Sequence, residues 1–278
     1  MITISLCMIV KNEELVLNNA LSSIKDVVDE IIIVDTGSTD KTKEIAYSYT
    51  DKVYDFEWCD DFSKARNYSF SKATCDYCMW LDADDILHAE DKEKLLKLKS
   101  TIDPETSVVM MRYHTSFDKQ GNPTFTYYRE RLLRRKDNFK WGGFIHEAIS
   151  PRGKIEHSEI AITHNKIGPS DPQRNLNIFQ KKISEGVKLN PREQFYYARE
   201  LYYNRKYNEA IDAFKGFLDT KQGWKENCIS AHQFIGYCYD ELNNKEEAIN
   251  QLLLSFSYDN PRAEICCDLG KYLYELKK

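Results

Sequence analysis

No apolar run in this sequence is long enough to cross a bilayer. The longest, residues 6–10 and 31–34, are strand-sized, whereas a spanning helix needs ~20 apolar residues. No basic segment precedes the first apolar run, since Met1 leads directly into Ile-Thr-Ile-Ser. A signal peptide is therefore not expected, and the chain reads as soluble and cytoplasmic, without a transmembrane segment. Positive charge is also in short supply: 39 Lys and Arg face 44 Asp and Glu, for a net charge of −5. That balance excludes broad attraction to nucleic acid or anionic lipid, so an anionic ligand must be held by a local site. The eight cysteines form no small disulfide framework. Cys75-x-x-Cys78 has no second CxxC to complete a zinc site, and Cys228 with His232 lies far along the chain. Ordinary reduced cysteines are expected.

What is present supports a packed fold. Of 278 residues, 42% are hydrophobic and 30% charged, enough for one large domain or two modest ones. Short apolar runs alternate with helical spacing through the first half. Residues 2–10, 30–35, 53–56 and 77–81 read as strands, and residues 13–24, 41–49 and 63–72 as helices. Gly37-Ser38-Thr39-Asp40 breaks the second strand and offers an N-cap to the next helix. This βαβαβ order predicts a mostly parallel sheet covered by helices. Such sheets bind ligands outside the carboxyl ends of their strands, where Asp35 and Asp82 fall. Residues 108–113, 125–133 and 159–163 are further strand candidates. Gly168-Pro169-Ser170-Asp171-Pro172 is expected to separate the two domains, residues 1–168 and residues 173–278.

The second domain reads as all-helical. Ala210-Ile-Asp-Ala-Phe214 recurs as Ala248-Ile-Asn-Gln-Leu252, thirty-eight residues later. Ala198 and Gly236 lie upstream at matching places, and small residues there allow paired helices to approach closely. The tetratricopeptide pattern has a comparable period with Ala and Phe at this spacing. Residues 262–276 then begin a third unit or act as a capping helix. A generic helical bundle is the alternative.

Asp82-Ala83-Asp84 is the central chemical feature. Two carboxylates at a strand end can reach one divalent cation and a nucleotide sugar together, and hard oxygen ligands suit Mg²⁺ or Mn²⁺. The preceding Met79-Trp80-Leu81 is apolar, so the acids emerge from a buried strand. Together, Ser5-Leu-Cys-Met-Ile-Val-Lys-Asn-Glu13, Ile33-Val-Asp-Thr-Gly-Ser-Thr-Asp40 and Trp80-Leu-Asp-Ala-Asp84 resemble glycosyltransferase family 2, inverting enzymes of the GT-A fold. The segment Trp141-Gly-Gly-Phe-Ile-His-Glu147 and the trailing repeats resemble a bacterial branch of that family. The resemblance covers about residues 1–168.

It implies a Rossmann-like nucleotide-sugar domain followed by the helical repeats. It implies that Ile9, Val10, Lys11 and Asp35 hold the nucleotide base, the Asp35 carboxylate accepting uracil N3–H. Arg66 matches the basic residue beside the base, although a solvated helix charge is the other reading. Asp84 is implied to ligate the metal, with Asp82 and the intervening Ala83 on the donor. Gly142-Gly143 matches the turn that lets the backbone approach the donor sugar. Glu147 matches the catalytic base, and His164 a further metal ligand; His146 receives no role. Neighbouring side chains on an extended segment point to opposite faces, so one of His146 and Glu147 is expected to face the acceptor. Arg129, Arg131, Arg134, Arg135 and Lys136 form a basic run read mainly as water-facing strand residues, with Arg134 the best candidate for a ligand contact.

The implied activity is transfer of a sugar from a UDP-sugar, UDP-glucose or UDP-N-acetylglucosamine, to an unidentified acceptor, with Mn²⁺ or Mg²⁺ as cofactor. The acceptor is a polypeptide or a cell-surface glycan, and a homodimer through the repeats is a further expectation. A nucleotidyltransferase would carry a glycine-rich phosphate loop after the first strand, and residues 8–14 contain no glycine. A catalytically weak nucleotide-sugar-binding module, whose repeats recruit a protein partner, is the alternative reading.

Overall fold

The computed structural model describes residues 1–165 and 171–276, and the chain divides into two compact units, Met1–Pro169 and Ser170–Lys278. Most of the segment expected to separate the domains, residues 168–172, lies outside the described residues. In the first unit the order is β1 (Ile4–Val10), α1 (Leu17–Ile24), β2 (Glu30–Asp35), α2 (Thr42–Tyr47), β3 (Val53–Asp55), α3 (Phe62–Lys72), β4 (Tyr77–Trp80), β5 (Asp85–Ile86), α4 (Ala89–Thr101), β6 (Thr106–Phe117), β7 (Pro123–Arg134), β8 (Trp141–Gly142), β9 (Ala148–Ile149) and β10 (Lys154–His164).

Eight strands form one sheet in the order β3-β2-β1-β4-β7-β6-β10-β5, and β8 pairs with β9 separately. The β1–β2, β1–β4 and β2–β3 pairs are parallel. β7 runs antiparallel to both β4 and β6. The chain adds strands to one side of β1 and then, with β4, to the other. That reversal opens a crevice at the carboxyl ends of β1, β2 and β4. Helix α1 buries Leu17, Ala20, Leu21 and Ile24, the i, i+3, i+4, i+7 spacing of one helix face. Those side chains pack with Leu6, Met8 and Met79 in one core. On the other sheet face Cys7, Ile32, Cys78 and Trp80 pack with Phe70 of α3 and with Trp141.

Helix α1 starts four residues later than the sequence predicts. The Glu13 and Glu14 amides are claimed instead by the segment entering α2, by Thr42 Oγ1 (2.7 Å) and Asp40 Oδ2 (3.2 Å). The cap expected within residues 37–40 is shifted too. Lys41 is the N-cap of α2, while the Asp40 carboxylate accepts the Thr42 N–H at 2.9 Å. All eight cysteines are free.

The second unit contains α5 (Arg174–Ser184), α6 (Pro191–Tyr203), α7 (Tyr207–Asp219), α8 (Lys225–Glu241), α9 (Lys245–Leu254) and α10 (Ala263–Glu275). Ala210 and Phe214 on α7 and their counterparts Ala248 and Leu252 on α9 are fully buried. A Cβ on Gly236 of α8 would sit 3.1 Å from Leu252 Cδ2 and 3.2 Å from the Ala248 carbonyl oxygen, so glycine is what permits the close α8–α9 approach. No helix among the described residues is long and apolar enough to cross a membrane.

Candidate active site

Three loops meet at the carboxyl end of the parallel strands. The β1–α1 and β2–α2 loops clasp each other: Asn12 N–H donates to Ser38 Oγ (3.0 Å), and Thr39 N–H donates to Asn12 Oδ1 (2.8 Å). Behind this clasp Asp35 ends β2, 1% exposed. Its Oδ1 accepts from the Gly37 and Ser38 amides at 3.0 and 2.9 Å, while its buried Oδ2 has no hydrogen-bond partner. An unpartnered buried acceptor is costly, and a ligand N–H would satisfy it. Ile9 is half-buried, Val10 buried and Lys11 exposed.

The acidic turn after β4 is fixed from below. Asp85 is completely buried. Its Oδ2 accepts from the Asp82 amide (3.0 Å) and from Arg131 Nη1 (2.9 Å), and its Oδ1 accepts from the Tyr113 hydroxyl (2.8 Å). Strand pairing then adds a histidine from far along the chain. β10 runs antiparallel to β5 with His164 opposite Asp85, and the Asn165 amide donates to the Asp84 carbonyl at 2.7 Å. His164 Nδ1 lies 3.4 Å from Asp84 Oδ1 and 3.4 Å from Asp85 Oδ1. These two carboxylates raise the imidazole to about 10. Asp84, Asp85 and His164 bring ligand atoms within 4.8 Å of one another. Two carboxylates and an imidazole suit Mg²⁺ or Mn²⁺, so the donor set fits the expected ion. Asp85 was not foreseen from sequence.

Arg66 stands on α3, whose N-cap Asp61 accepts the Lys64 amide at 3.0 Å. It is not a solvated helix charge. Only 8% exposed, it lies over the rings of Trp80 and Trp141, at 5.2 and 4.8 Å. Its Nη2 donates to Asp82 Oδ1 (2.7 Å) and its Nε to Glu147 Oε1 (2.6 Å). One guanidinium thus joins the acidic turn to the loop carrying Glu147. Burial alone would raise the Asp82 carboxyl; Arg66 and Arg131 override it and hold that group at about 2. The loop is pinned to α3 by a reciprocal amide bond: Asn67 Nδ2 donates to the Trp141 carbonyl (3.0 Å), and the Trp141 amide donates to Asn67 Oδ1 (2.9 Å).

Gly143 has φ +89°, a conformation that glycine adopts without strain. Gly142 is exposed, and a Cβ there would meet nothing within 4 Å. His146 has φ +51°, so residues 146 and 147 are not an extended pair. The two side chains do not alternate across a strand, because the chain turns inside the β8–β9 connection. Ala83, inside the acidic turn, is buried.

The basic run also differs from its reading. Arg131 is wholly buried, with its guanidinium 3.7 Å from the Trp80 ring centre and 4.3 Å from that of Tyr113. Arg129 covers Trp80 at 4.8 Å. Arg134, the favoured exception, instead pairs with Asp137 and Glu105 near the other end of β4. Strand irregularity explains part of this: the β6–β7 register shifts between Val109 and Met110, which simple alternation does not anticipate.

Fold and site together define a glycosyltransferase of the GT-A type. The chain belongs to glycosyl transferase family 2, whose model matches residues 5–152. A TPR repeat-containing protein of Synechococcus elongatus is 37% identical over 151 residues, covering 54% of this chain and 36% of that protein. The SPbeta prophage-derived glycosyltransferase SunS of Bacillus subtilis is 29% identical over 240 residues, 78% of this chain and 54% of SunS. The chain thus aligns with about half or less of the length of these relatives. Among solved structures, S. aureus TarS 1–349 in complex with UDP-GlcNAc matches 92% of this chain and 91% of that one, with a TM-score of 0.51 and 15% identity. That likeness is one of fold.

Proposed function

We propose that the chain transfers a sugar, with inversion, from a UDP-sugar to a polypeptide or glycan acceptor, assisted by Mn²⁺ or Mg²⁺. The observation carrying this reading is the buried, unpartnered Asp35 Oδ2 on the same sheet end as the Asp84–His164 pair. A free carboxylate oxygen whose neighbour is fixed by two backbone amides suits uracil N3–H, and Asp35 lies opposite Val10 where β1 ends. UDP-glucose and UDP-N-acetylglucosamine are the donors we assign. That TarS was solved with UDP-GlcNAc is a fact about TarS; for this chain the donor reading rests on Asp35.

In this reading Asp84 and His164 hold the cation, which when bound offsets charge on the diphosphate leaving group. Asp82, oriented by Arg66, meets the ribose or donor sugar, and Ala83 with Gly142 and Gly143 lines the donor path. Glu147 uses its second carboxylate oxygen to take the acceptor proton, its first being held by Arg66. Asp82 and Asp84 face the donor, which leaves Glu147 for the acceptor side. The second unit, with tetratricopeptide-like helix pairs, presents a polypeptide acceptor or joins two copies. Titration of UDP into the full chain tests the donor site: Asp35→Ala is expected to weaken binding at least tenfold, and the wild-type protein to bind several-fold tighter with Mn²⁺ than with EDTA. Equal UDP affinity in Asp35→Ala and wild type would refute the base-binding role.

A further inference from the structure

We propose that Arg129 binds the diphosphate of the donor, giving the site a hold on the leaving group that does not depend on a cation. The inference rests on the UDP-sugar reading above and extends it to a residue which that reading leaves without a role. Trp80 ends β4, two residues before Asp82. Three guanidiniums lie against its ring, those of Arg131, Arg129 and Arg66, at 3.7, 4.8 and 5.2 Å from the ring centre.

The three differ in what they have left to offer. Arg131 is wholly buried and donates to Asp85 and to the Trp80 carbonyl (3.1 Å). Arg66 is held between Asp82 and Glu147. Neither can turn to a ligand without releasing a carboxylate. Arg129 has one carboxylate partner among the described residues, its chain neighbour Glu130, and both contacts are long: Nη2 to Oε1 at 3.1 Å and Nε to Oε2 at 3.4 Å. Its side chain keeps 24% of its surface exposed. A guanidinium carries five N–H groups in a fixed fork. Buried Glu130 anchors one edge of that fork, and Nη1 has no protein partner among the described residues.

Strand register brings this arginine to the donor end of the sheet. β7 runs antiparallel to β4, with Leu132 opposite Met79. Arg129 and Asp82 each lie three residues beyond that pair, so the arginine reaches the level of the acidic turn. Burial would raise the Asp82 carboxyl; Arg66 and Arg131 lower it, and Arg129 adds to them. As the C1–O bond of the donor sugar breaks, its electron pair stays on the β-phosphate. The leaving group thereby gains a negative charge beyond what a divalent cation at Asp84 and His164 offsets. An arginine fork matches phosphate oxygens two at a time. Of the three arginines on Trp80, Arg129 is the one with donors to spare.

The test titrates UDP and uridine into the full chain in EDTA, so that no cation contributes. Arg129→Met is expected to weaken UDP binding about tenfold and to leave uridine binding unchanged. Because that variant strands Glu130, the double variant Arg129→Met/Glu130→Gln is measured beside it, with the same loss expected. UDP affinity equal to wild type in the double variant overturns the assignment and leaves the donor reading standing. Equal losses of UDP and uridine affinity do the same, marking Arg129 as part of the scaffold. Wild-type protein that binds UDP no more tightly than uridine in EDTA also overturns it. Wild-type protein that binds neither, with or without Mn²⁺, overturns the donor reading as well.

Discussion

In the first unit Asp35, Arg66, Asp85 and Arg131 are each less than a tenth exposed, whereas among the described residues of the second unit Glu200 is the charged side chain buried to that degree. The second unit fills its interior with rings and aliphatics instead: Phe195 lies 5.9 Å from Phe214 and 5.5 Å from Phe217, and Phe214 stacks on Phe234. An aromatic core is held by area and shape, each such pair adding about 0.5–1.5 kcal/mol beyond burial. A core of paired charges gains little net stability, because desolvation offsets attraction. The first unit therefore carries its buried charges for what they orient. Asp85 sets Asp82 and Tyr113, and Arg66 sets Asp82 and Glu147.

Four measurements bear on that contrast, beginning with the largest effect. Glu147→Gln keeps the bond from Arg66 but cannot take a proton. Turnover is expected to fall about 10²–10⁴-fold, with UDP and Mn²⁺ affinities near wild type. Normal turnover would remove Glu147 from the chemistry, and a collapse in His146→Gln would then move the role to that neighbour. Next, Arg131→Met strands Asp85 and should cost about 3–5 kcal/mol in urea unfolding. Adding Asp85→Leu is expected to restore most of that stability without restoring Mn²⁺ binding. If the double variant stays as unstable as the single one, the pair is structural after all.

In the second unit Gly236→Ala drives a methyl group against Leu252 and the α9 backbone, for an expected loss of about 1–3 kcal/mol. UDP affinity should not change. The smallest effect is on pH dependence. Glu30 is buried at the start of β2 and bonded to Lys52, Ser5 and Thr74. Burial alone would raise it, yet these bonds, that to Lys52 foremost, lower it to about 2. The unfolded chain therefore takes up this proton first as pH falls. The contribution of Glu30 is complete above the ordinary glutamate range and lost progressively down to about pH 2. Glu30→Gln should flatten the acid limb of stability between about pH 4.5 and 2; an unchanged limb would assign acid sensitivity to other carboxylates.

The parallel half of the sheet was legible because its signals are local: aliphatic runs in β1 and β2, and acids directly after β4. Asp35, Asp82, Asp84 and His164 could be named for the same reason, as ordered motifs at strand ends. Asp85 stood beside the motif and was passed over, since its partners Tyr113 and Arg131 are 28 and 46 residues away. A clue was available for Arg131, which directly precedes the buried Leu132 and Leu133. Helix α4 was missed because Ala-Glu-Asp-Lys-Glu-Lys-Leu-Leu-Lys-Leu-Lys-Ser-Thr is mostly charged, and Leu95 is its one fully buried apolar side chain. The two-residue strands β5, β8 and β9 are too short to leave a periodicity. The ion pairs that join Arg66 to Asp82 and Glu147 bridge 16 and 81 residues, and no window of sequence displays them.

The pairing of β5 with β10 also imposes an order in time. Asp84 leaves the ribosome 80 residues before His164. At about 5–20 residues per second that interval is roughly 4–16 s. Throughout it the acidic turn has neither its histidine nor the strand that seats it. A nascent chain halted before β10 can expose the acids but cannot assemble the three-residue cluster. Under the proposed metal reading, assembly of the cation site waits for the last strand of the sheet, so a rise in melting temperature on adding Mn²⁺ would report that synthesis and folding of this unit have both run to completion.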